Sequence, residues 1–194
     1  MDKGGAIFAL LTVFAVMLGS WFFAGVHVSM TAEKIEYRVL YKLGENIEVR
    51  EYGEMTTAST SSNDIDDAFF ILSSYISGKN AEKKKIDMIY PVITFEDENV
   101  VNMSFILPET YSVNDTPVSV NPAISIQSVP ERKVVAIKFS GSAKGEILET
   151  KRSALILQLD ENNITTKGDF FLISYNPPWV PPALMRNEIA IEVA

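Results

Sequence analysis

Few residues in this 194-residue chain could carry catalytic chemistry. Two pairs of neighbouring carboxylates, Asp66/Asp67 and Asp97/Glu98, have the composition of a general acid and base. Both pairs lie in polar stretches, which favours solvated helix caps and turns over a catalytic dyad. The chain also has no Gly-x-Ser-x-Gly motif, in which a nucleophilic serine sits on a strand-to-helix turn. The sequence therefore predicts a protein that is not an enzyme.

Metal and thiol chemistry is restricted by the residue counts. The chain contains no cysteine and one histidine, His27. The lack of cysteine excludes disulfides, zinc-thiolate sites, iron–sulfur clusters and a thiol nucleophile. His27 lies at the end of a long apolar stretch, so a domain that follows it has no histidine for a catalytic triad or a multi-histidine metal site. His27 itself is interpreted as an interfacial polar residue.

The positively charged residues suggest a different kind of chemistry. Lys83, Lys84 and Lys85 form a basic cluster in a chain whose net charge is −8. This cluster is either a solvated turn or a site that pairs with the carboxylates of a ligand. Arg186 offers the same pairing near the end of the chain, although Glu188 could neutralise it on the same strand. The negative net charge argues against nucleic-acid binding, which depends on neutralising phosphates.

The segment NPPWVPPALMRNE, residues 176–188, has four of the chain's nine prolines within six positions, around Trp179. Prolines lack the N–H group and fix φ, so the segment must run extended and outside a sheet ladder. Two interpretations of Trp179 remain open. Its indole either closes a core or lines a ligand site, for which a stiff loop loses little entropy when it becomes ordered.

A long apolar segment precedes the domain that positions these residues. Residues 4–30 contain no charged side chain, and about 20 apolar residues suffice to cross a bilayer. The apolar run exceeds the usual length of a signal-peptide core and no clear cleavage site follows it, which favours an uncleaved single-pass anchor over a signal segment. We therefore predict an anchor at residues 1–30 and a folded domain at residues 35–194, on an undetermined side of the membrane.

The domain shows the same hydrophobic pattern twice. The first copy has strands at 47–52 and 55–61, a helix over DIDDAFFILSSYIS, and strands at 85–96 and 100–108. The second copy has strands at 123–129 and 133–141, a helix over GEILETKRSALILQL, and strands at 170–176 and 187–193. Two such ββαββ repeats predict an α+β fold, in which mainly antiparallel strands form a barrel-like surface flanked by two helices.

The first helix carries a feature that its buried face does not explain. We expect Asp64 to cap the helix and Gly78 to end it. At 100° per residue the face toward the sheet contains Ile65, Ala68, Phe69, Leu72, Tyr75 and Ile76. Phe70 falls on the opposite side, near Ser74. It is either an ordinary exposed aromatic residue or the floor of a shallow apolar site.

Several stretches of the chain resemble the SOUL/haem-binding protein family. IEVREY (47–52) is similar to the strand near the start of the family's domain, and ISGKNAEKKKIDMIYPVIT (76–94) to its helix-to-strand segment. MSFILP (103–108) resembles a family strand, and NPPWVPPALMRNEIAIEV (176–193) resembles the family's ending. The resemblance covers residues 40–193 in the same order and spacing.

The resemblance implies a distorted antiparallel β-barrel of two ββαββ repeats that binds haem or a related tetrapyrrole in an apolar surface cleft without catalysis. The cleft lies along the first helix in this family. Some members ligate haem iron through a histidine, which this domain lacks, so binding would rely on apolar contact and carboxylate pairing or on a weaker axial ligand such as Met88, Tyr90 or Met185. The residues expected to bind the tetrapyrrole are Phe70, Ser74, Lys83, Lys85, Met88, Tyr90, Trp179, Met185 and Arg186.

Some of these residues have a second interpretation. Met88 and Tyr90 are either axial ligands or ordinary residues of a buried strand. The chain as a whole could instead be an effector-sensing module for another hydrophobic small molecule, which the missing histidine favours. A protein-interaction domain at the membrane would equally suit an exposed Phe70.

Overall fold

A computed structural model describes residues 3–31, 35–97, 100–177 and 179–194 of the chain. The predicted residues Glu98 and Pro178 lie outside the described part. The elements are α1 (Lys3–Thr31), β1 (Arg38–Lys42), β2 (Ile47–Tyr52), β3 (Met55–Ser62), α2 (Ile65–Ile76), β4 (Ile89–Asp97), β5 (Val100–Ile106), β6 (Ser125–Val129), β7 (Arg132–Ser140), α3 (Gly145–Glu161), β8 (Thr166–Ser174), a 3-10 turn (Pro182–Leu184) and β9 (Arg186–Val193).

The strand order confirms the two-repeat interpretation. The sheet runs β1-β2-β7-β9-β8-β4-β5-β3-β6, and all of its pairs are antiparallel. Each half contributes a three-stranded unit, β3-β5-β4 and β7-β9-β8, and the units join where β4 pairs with β8. The first strand of each repeat pairs with the other repeat, β2 with β7 and β6 with β3. This exchange ties the two halves into one sheet.

The prediction of a barrel is wrong in one respect, because the sheet does not close. Strands β1 and β6 form its two edges. β1 pairs with the outer edge of β2 and so occupies the backbone groups that closure would need. The alternating pattern did not predict β1, a short and mostly exposed strand whose register shifts between Val39 and Tyr41. An edge strand of this kind has only a weak period-2 signal.

The curled sheet buries side chains on both faces. Along β7, Val134 and Ala136 point to the inner face, whereas Val135 and Ile137 point to the outer face, as the two-residue period of a strand requires. The buried residues of the inner cluster lie on strands, except Tyr175, which directly follows β8. The outer face packs under α3 in one half and under α2 in the other. Both predicted helices therefore cover the sheet from outside.

Helix α1 precedes the sheet and packs little against it. Its stretch Leu10–His27 is long and apolar enough to cross a membrane, and 6% of that stretch is buried. Trp21, Phe22 and Phe23, near its end, are exposed. The helix has the length and composition of a membrane span, which a signal sequence shares.

Candidate ligand-binding site

Helix α2 is fixed at both ends by local hydrogen bonds. The Asp64 carboxylate accepts hydrogen bonds from the backbone N–H groups of Asp66 and Asp67, at 2.8 and 3.0 Å. At the other end Gly78 has φ +104°, a left-handed conformation that glycine adopts without strain. Both predicted helix boundaries are confirmed. Ala68, Leu72, Tyr75 and Ile76 are buried on the sheet side, as expected.

The outer side of α2 brings Phe70 and Ser74 together with Lys79. The Gly78 turn reverses the chain, and the Lys79 N–H donates to the Ser74 carbonyl at 3.1 Å, which is a Schellman arrangement. The Lys79 ammonium thereby lies 5.3 Å from the centre of the Phe70 ring and 3.5 Å from Ser74 Oγ. The Phe70 side chain is 63% exposed. We call Phe70, Ser74 and Lys79 the α2 surface.

Lys79 did not emerge from the sequence as a site residue. The signal that could have found it is the glycine that ends the helix. A left-handed glycine at this position folds the next residue back over the last turn. A cation immediately after such a glycine is therefore placed beside the outer face of its helix.

The three consecutive lysines follow in a turn that Asn80 organises. The buried Asn80 amide donates to the carbonyls of Tyr75 and Lys84 and accepts from the Lys84 N–H. Lys83, Lys84 and Lys85 are exposed, and Lys83 has the left-handed φ of 53°. The Lys84 ammonium lies 5.0 Å from the Tyr111 ring centre. We call residues 80–85 the lysine turn.

The two predicted strand residues lie within the packed interior. Tyr90 is buried in the inner cluster, where burial raises the pKa of its hydroxyl. Met88 is half-buried and packs against both the inner cluster and the α2 cluster. The burial of Tyr90 and the packing of Met88 favour the structural interpretation of these two residues.

Arg186 belongs to a charged cluster on the inner face of the sheet. Its Nη2 lies 2.6 Å from Glu188 Oε1. The same carboxylate accepts two hydrogen bonds from Arg50, at 2.5 and 3.1 Å. Arg50 is 1% exposed and Glu188 is 0% exposed. Arg50 Nε also pairs with Glu48, whose side chain is 20% exposed. We call Arg50, Arg186, Glu188 and Glu48 the inner charge cluster.

Tyrosines surround this cluster and complete its contacts. The Arg50 guanidinium lies 4.2 Å from the Tyr37 ring centre, and that of Arg186 lies 3.9 Å from the Tyr175 ring centre. Burial lowers the pKa of Arg50, but the hydrogen bond and negative charge of Glu188 outweigh this effect and raise it overall. Burial and the same carboxylate raise the pKa of Tyr175. Each charge here has a partner from the protein itself.

The proline segment forms the connection between β8 and β9. Val180 is buried, whereas Trp179 is 49% exposed. The Trp179 carbonyl accepts a hydrogen bond from the Trp21 indole of α1 at 2.8 Å. Met185 is half-buried at the end of the 3-10 turn. We call residues 176–185 the proline loop.

The predicted site residues thus fall into separate groups. Helix α2 packs against β3 and β5, whereas the proline loop joins β8 and β9, and β8 and β4 lie between β9 and β5 in the sheet. No ring contact joins Phe70 to Trp179 within the described ranges. The α2 surface and the lysine turn are contiguous in the chain, and the proline loop lies two strands away.

Two cavities lie outside these groups. A cavity of about 10 Å³ on the inner face is lined by Tyr52, Pro91, Phe171 and others, a volume close to that of one water. Arg132 also lines it, and its Nε is buried without a hydrogen-bond partner. A larger groove of about 260 Å³ lies beside the β1 edge. Its lining residues are Leu40, Tyr41, Val49, Lys133, Ile164, Thr165, Val193 and Ala194.

The family model of the SOUL heme-binding proteins matches residues 32–192. Because this match covers most of the sequence, the chain belongs to the SOUL family, and the expectation drawn from the sequence motifs is confirmed. The matched range begins after the apolar stretch of α1 and includes every strand of the sheet. A search of curated proteins finds no match.

Solved structures with the same fold include a domain of EcmrR and a protein named as a hydrolase. The C-terminal domain of EcmrR superposes with a TM-score of 0.58 at 14% identity, over 81% of this chain and 98% of that domain. A hydrolase from Listeria innocua gives a TM-score of 0.51 at 9% identity, over 89% of this chain and 98% of its own. At these identities the likeness shows the fold alone.

Proposed function

We propose that this chain is a membrane-anchored, non-catalytic protein that binds haem or a related tetrapyrrole on the α2 surface. Its domain belongs to a family described as heme-binding. The observation that carries the proposal is the exposed ring of Phe70, which has a lysine ammonium 5.3 Å from its centre. A flat aromatic side chain beside a cation matches the two parts of a tetrapyrrole, an apolar macrocycle with carboxylates at its edge.

Stacking of the macrocycle on Phe70 supplies the apolar part of the binding free energy. Each Å² of apolar area removed from water contributes roughly 25 cal/mol. Helix α2 is held by its caps and its buried face, so little conformational entropy is lost when the ligand binds. Lys79 and the exposed Lys83 and Lys85 are available to pair with the carboxylates.

The α2 surface offers contacts to the macrocycle, whereas the candidate ligands for the iron lie elsewhere in the fold. The single histidine of the sequence, His27, lies in α1 and outside the domain, so haem iron would need a weaker axial ligand. Of the three weaker axial candidates, Tyr90 and Met88 pack in the core clusters and Met185 lies on the proline loop. We therefore expect binding that depends on the apolar face and the carboxylates and not on ligation of iron.

A titration with hemin tests the proposal. The sample is a fragment of residues 32–194 whose folding is verified by circular dichroism. We expect a perturbed Soret band that saturates at one hemin per chain. Phe70→Asp should weaken binding at least about tenfold, which corresponds to about 1.4 kcal/mol. Iron-free protoporphyrin should bind with an affinity similar to that of hemin.

Leu157→Asp is the matched control, because Leu157 is an exposed apolar residue on the other helix, α3. Its hemin affinity should remain that of the unmodified fragment. The proposal is wrong if the folded fragment leaves the Soret band of micromolar hemin unchanged. Equal losses in the Phe70 and Leu157 variants would show that hemin binds nonspecifically.

A second candidate is an effector-sensing module for another hydrophobic molecule, and the groove beside β1 favours it. Its volume of about 260 Å³ is near the lower end of ligand pockets, roughly 300 Å³. Its lining is mostly apolar, with Lys133 at one side. Native mass spectrometry of the protein from its own host would reveal a non-porphyrin adduct, and Thr165→Trp, which adds a large side chain at an exposed position of the groove lining, should abolish it.

A further inference from the structure

The apolar helix and the proline loop contact each other at two points one helical turn apart. The Trp21 indole N–H donates to the Trp179 carbonyl at 2.8 Å. Four residues further along the same helix face, Gly25 is buried against the loop, and a Cβ atom there would lie 2.8 Å from Pro181 Cδ and 3.4 Å from Leu184 Cδ1. Only a glycine allows this close approach without displacing the loop.

The position of these contacts along the helix determines where the loop lies. The apolar stretch Leu10–His27 has 18 residues, which span about 27 Å at 1.5 Å per residue, close to the thickness of a hydrocarbon core. Trp21 and Gly25 lie in its second half, about 9 and 3 Å before its end at His27. When this stretch fills the bilayer, a loop bound to Trp21 and Gly25 lies about 3–9 Å inside the hydrocarbon boundary, which is close to the depth that interfacial segments reach.

The composition of the loop suits that depth. Prolines 177, 178, 181 and 182 have no N–H to leave unpaired. The N–H groups of Val180, Leu184 and Met185 donate to carbonyls within the loop, so these three donors are satisfied without water. Trp179 is 49% exposed, and tryptophan is favoured at the membrane–water interface.

We propose that the proline loop is the lipid-contacting surface of the folded domain. It docks on α1 at Trp21 and Gly25 and places Trp179 near the boundary between the headgroups and the acyl chains. The domain is thus held against the membrane in one orientation and does not rotate freely about a flexible linker. This inference rests on the proposal that α1 remains as a membrane anchor, and it goes beyond the proposed binding of a tetrapyrrole.

Site-directed spin labelling of the full chain in phosphatidylcholine vesicles tests the inference. The sequence has no cysteine, so a single introduced cysteine is labelled uniquely. Ala183→Cys places the label on the exposed side of the proline loop, and Thr166→Cys places it at the exposed start of β8, the opposite end of that strand. Accessibility to oxygen, which concentrates in lipid, is compared with accessibility to a water-soluble nickel chelate.

We expect the Ala183 label to be more accessible to oxygen than to nickel, and the Thr166 label to show the reverse. Gly25→Leu in the Ala183→Cys chain should shift that label toward the accessibility of the Thr166 label, because the leucine displaces Pro181. Gly19→Leu is the matched control, since no atom lies within 4 Å of a Cβ built there. It should leave the Ala183 label unchanged.

Two results would overturn the inference, and they differ in what else they overturn. The first is an Ala183 label that is as accessible to nickel as the Thr166 label, in protein that resists alkaline extraction from vesicles. This result would contradict the docked loop and leave the anchor unaffected. The second is extraction of the protein from the vesicles by alkaline carbonate, which would contradict both the anchor and the docked loop. Equal effects of the two glycine substitutions would show that the loop position does not depend on the contact at Gly25.

Discussion

The inner charge cluster and the α2 surface contain similar side chains in opposite settings. Each combines positive charges with aromatic rings. In the inner charge cluster, Arg50 and Arg186 face Glu188, which has no exposed surface. On the α2 surface, Lys79 and Phe70 are both exposed, and the lysine contacts the ring and a hydroxyl group.

This difference separates side chains that hold the fold from side chains that can bind a ligand. A buried charge whose partner is removed cannot regain water, so the folded state loses several kcal/mol. An exposed cation is already hydrated, so its substitution changes the stability little. The α2 surface can therefore lose its charges and its ring without unfolding the domain, as a binding surface must.

The largest effect is expected for Glu188→Gln. This substitution removes the buried carboxylate that the buried Arg50 and the half-buried Arg186 share, and we expect the free energy of unfolding of the 32–194 fragment to fall by about 3–5 kcal/mol. Urea unfolding followed by circular dichroism measures the change. A fragment that no longer folds at all would agree with the upper end of this range.

Glu48→Gln is the control for the same guanidinium. Glu48 contacts Arg50 Nε at 2.9 Å, but its side chain retains 20% exposure. Water can replace part of that contact, so we expect a loss of about 1 kcal/mol or less. If the two substitutions had equal effects, burial would not be the reason that the inner charge cluster stabilises the fold.

An intermediate effect is expected for Asn80→Ala. Asn80 shares a feature with each of the two regions, because its own amide is buried and the lysines that it positions are exposed. The substitution removes hydrogen bonds at 2.6, 2.9 and 3.2 Å and leaves buried backbone groups unpaired. We expect a loss of about 1–3 kcal/mol. Trypsin should also cleave the lysine turn faster, as measured by peptide mapping under native conditions.

Asn121→Ala is its control, because Asn121 makes a comparable bond, at 3.0 Å to the Ala123 N–H, but in an exposed turn. We expect a smaller loss of stability and no change in cleavage at the lysine turn. Faster cleavage in both variants would mean that general destabilisation, and not the Asn80 amide, determines access to the lysines.

The elements of this fold could be predicted because their signals are local. Asp64, Gly78 and the 3.6-residue spacing determine α2, and the strand period determines β2 and β7 within one residue. The same spacing correctly placed Phe70 on the outer side of its helix.

Long-range pairing could not be predicted in the same way. Arg50 and Glu188 are 138 positions apart, and no local pattern indicates that β2 and β9 present these side chains to the same interior. Closure of the sheet likewise depends on which strand pairs with the outer edge of β2. The contact of Trp21 with the proline loop joins two distant segments, and no sequence pattern indicates that they touch.

The smallest effect is expected for Phe70→Ala, and its neighbour Phe69 supplies the contrast. Phe69 is half-buried on the sheet side of α2, with its ring centre 5.3 Å from that of Phe105. Phe69→Ala should cost about 2–4 kcal/mol, because a packed ring is lost. Phe70→Ala removes an exposed ring and one cation–π contact while improving helix propensity, so we expect a change within about 0.5 kcal/mol.

Urea unfolding of the two variants under identical conditions measures this contrast, and the hemin titration completes it. Phe70→Ala should weaken hemin binding while leaving the midpoint of unfolding almost unchanged. A loss of stability for Phe70→Ala as large as that for Phe69→Ala would mean that the outer side of α2 is packed against something in solution, such as a second copy of the chain. The α2 surface would then be an interface, and the tetrapyrrole would have to bind elsewhere, because a ring that is already covered cannot stack on a ligand.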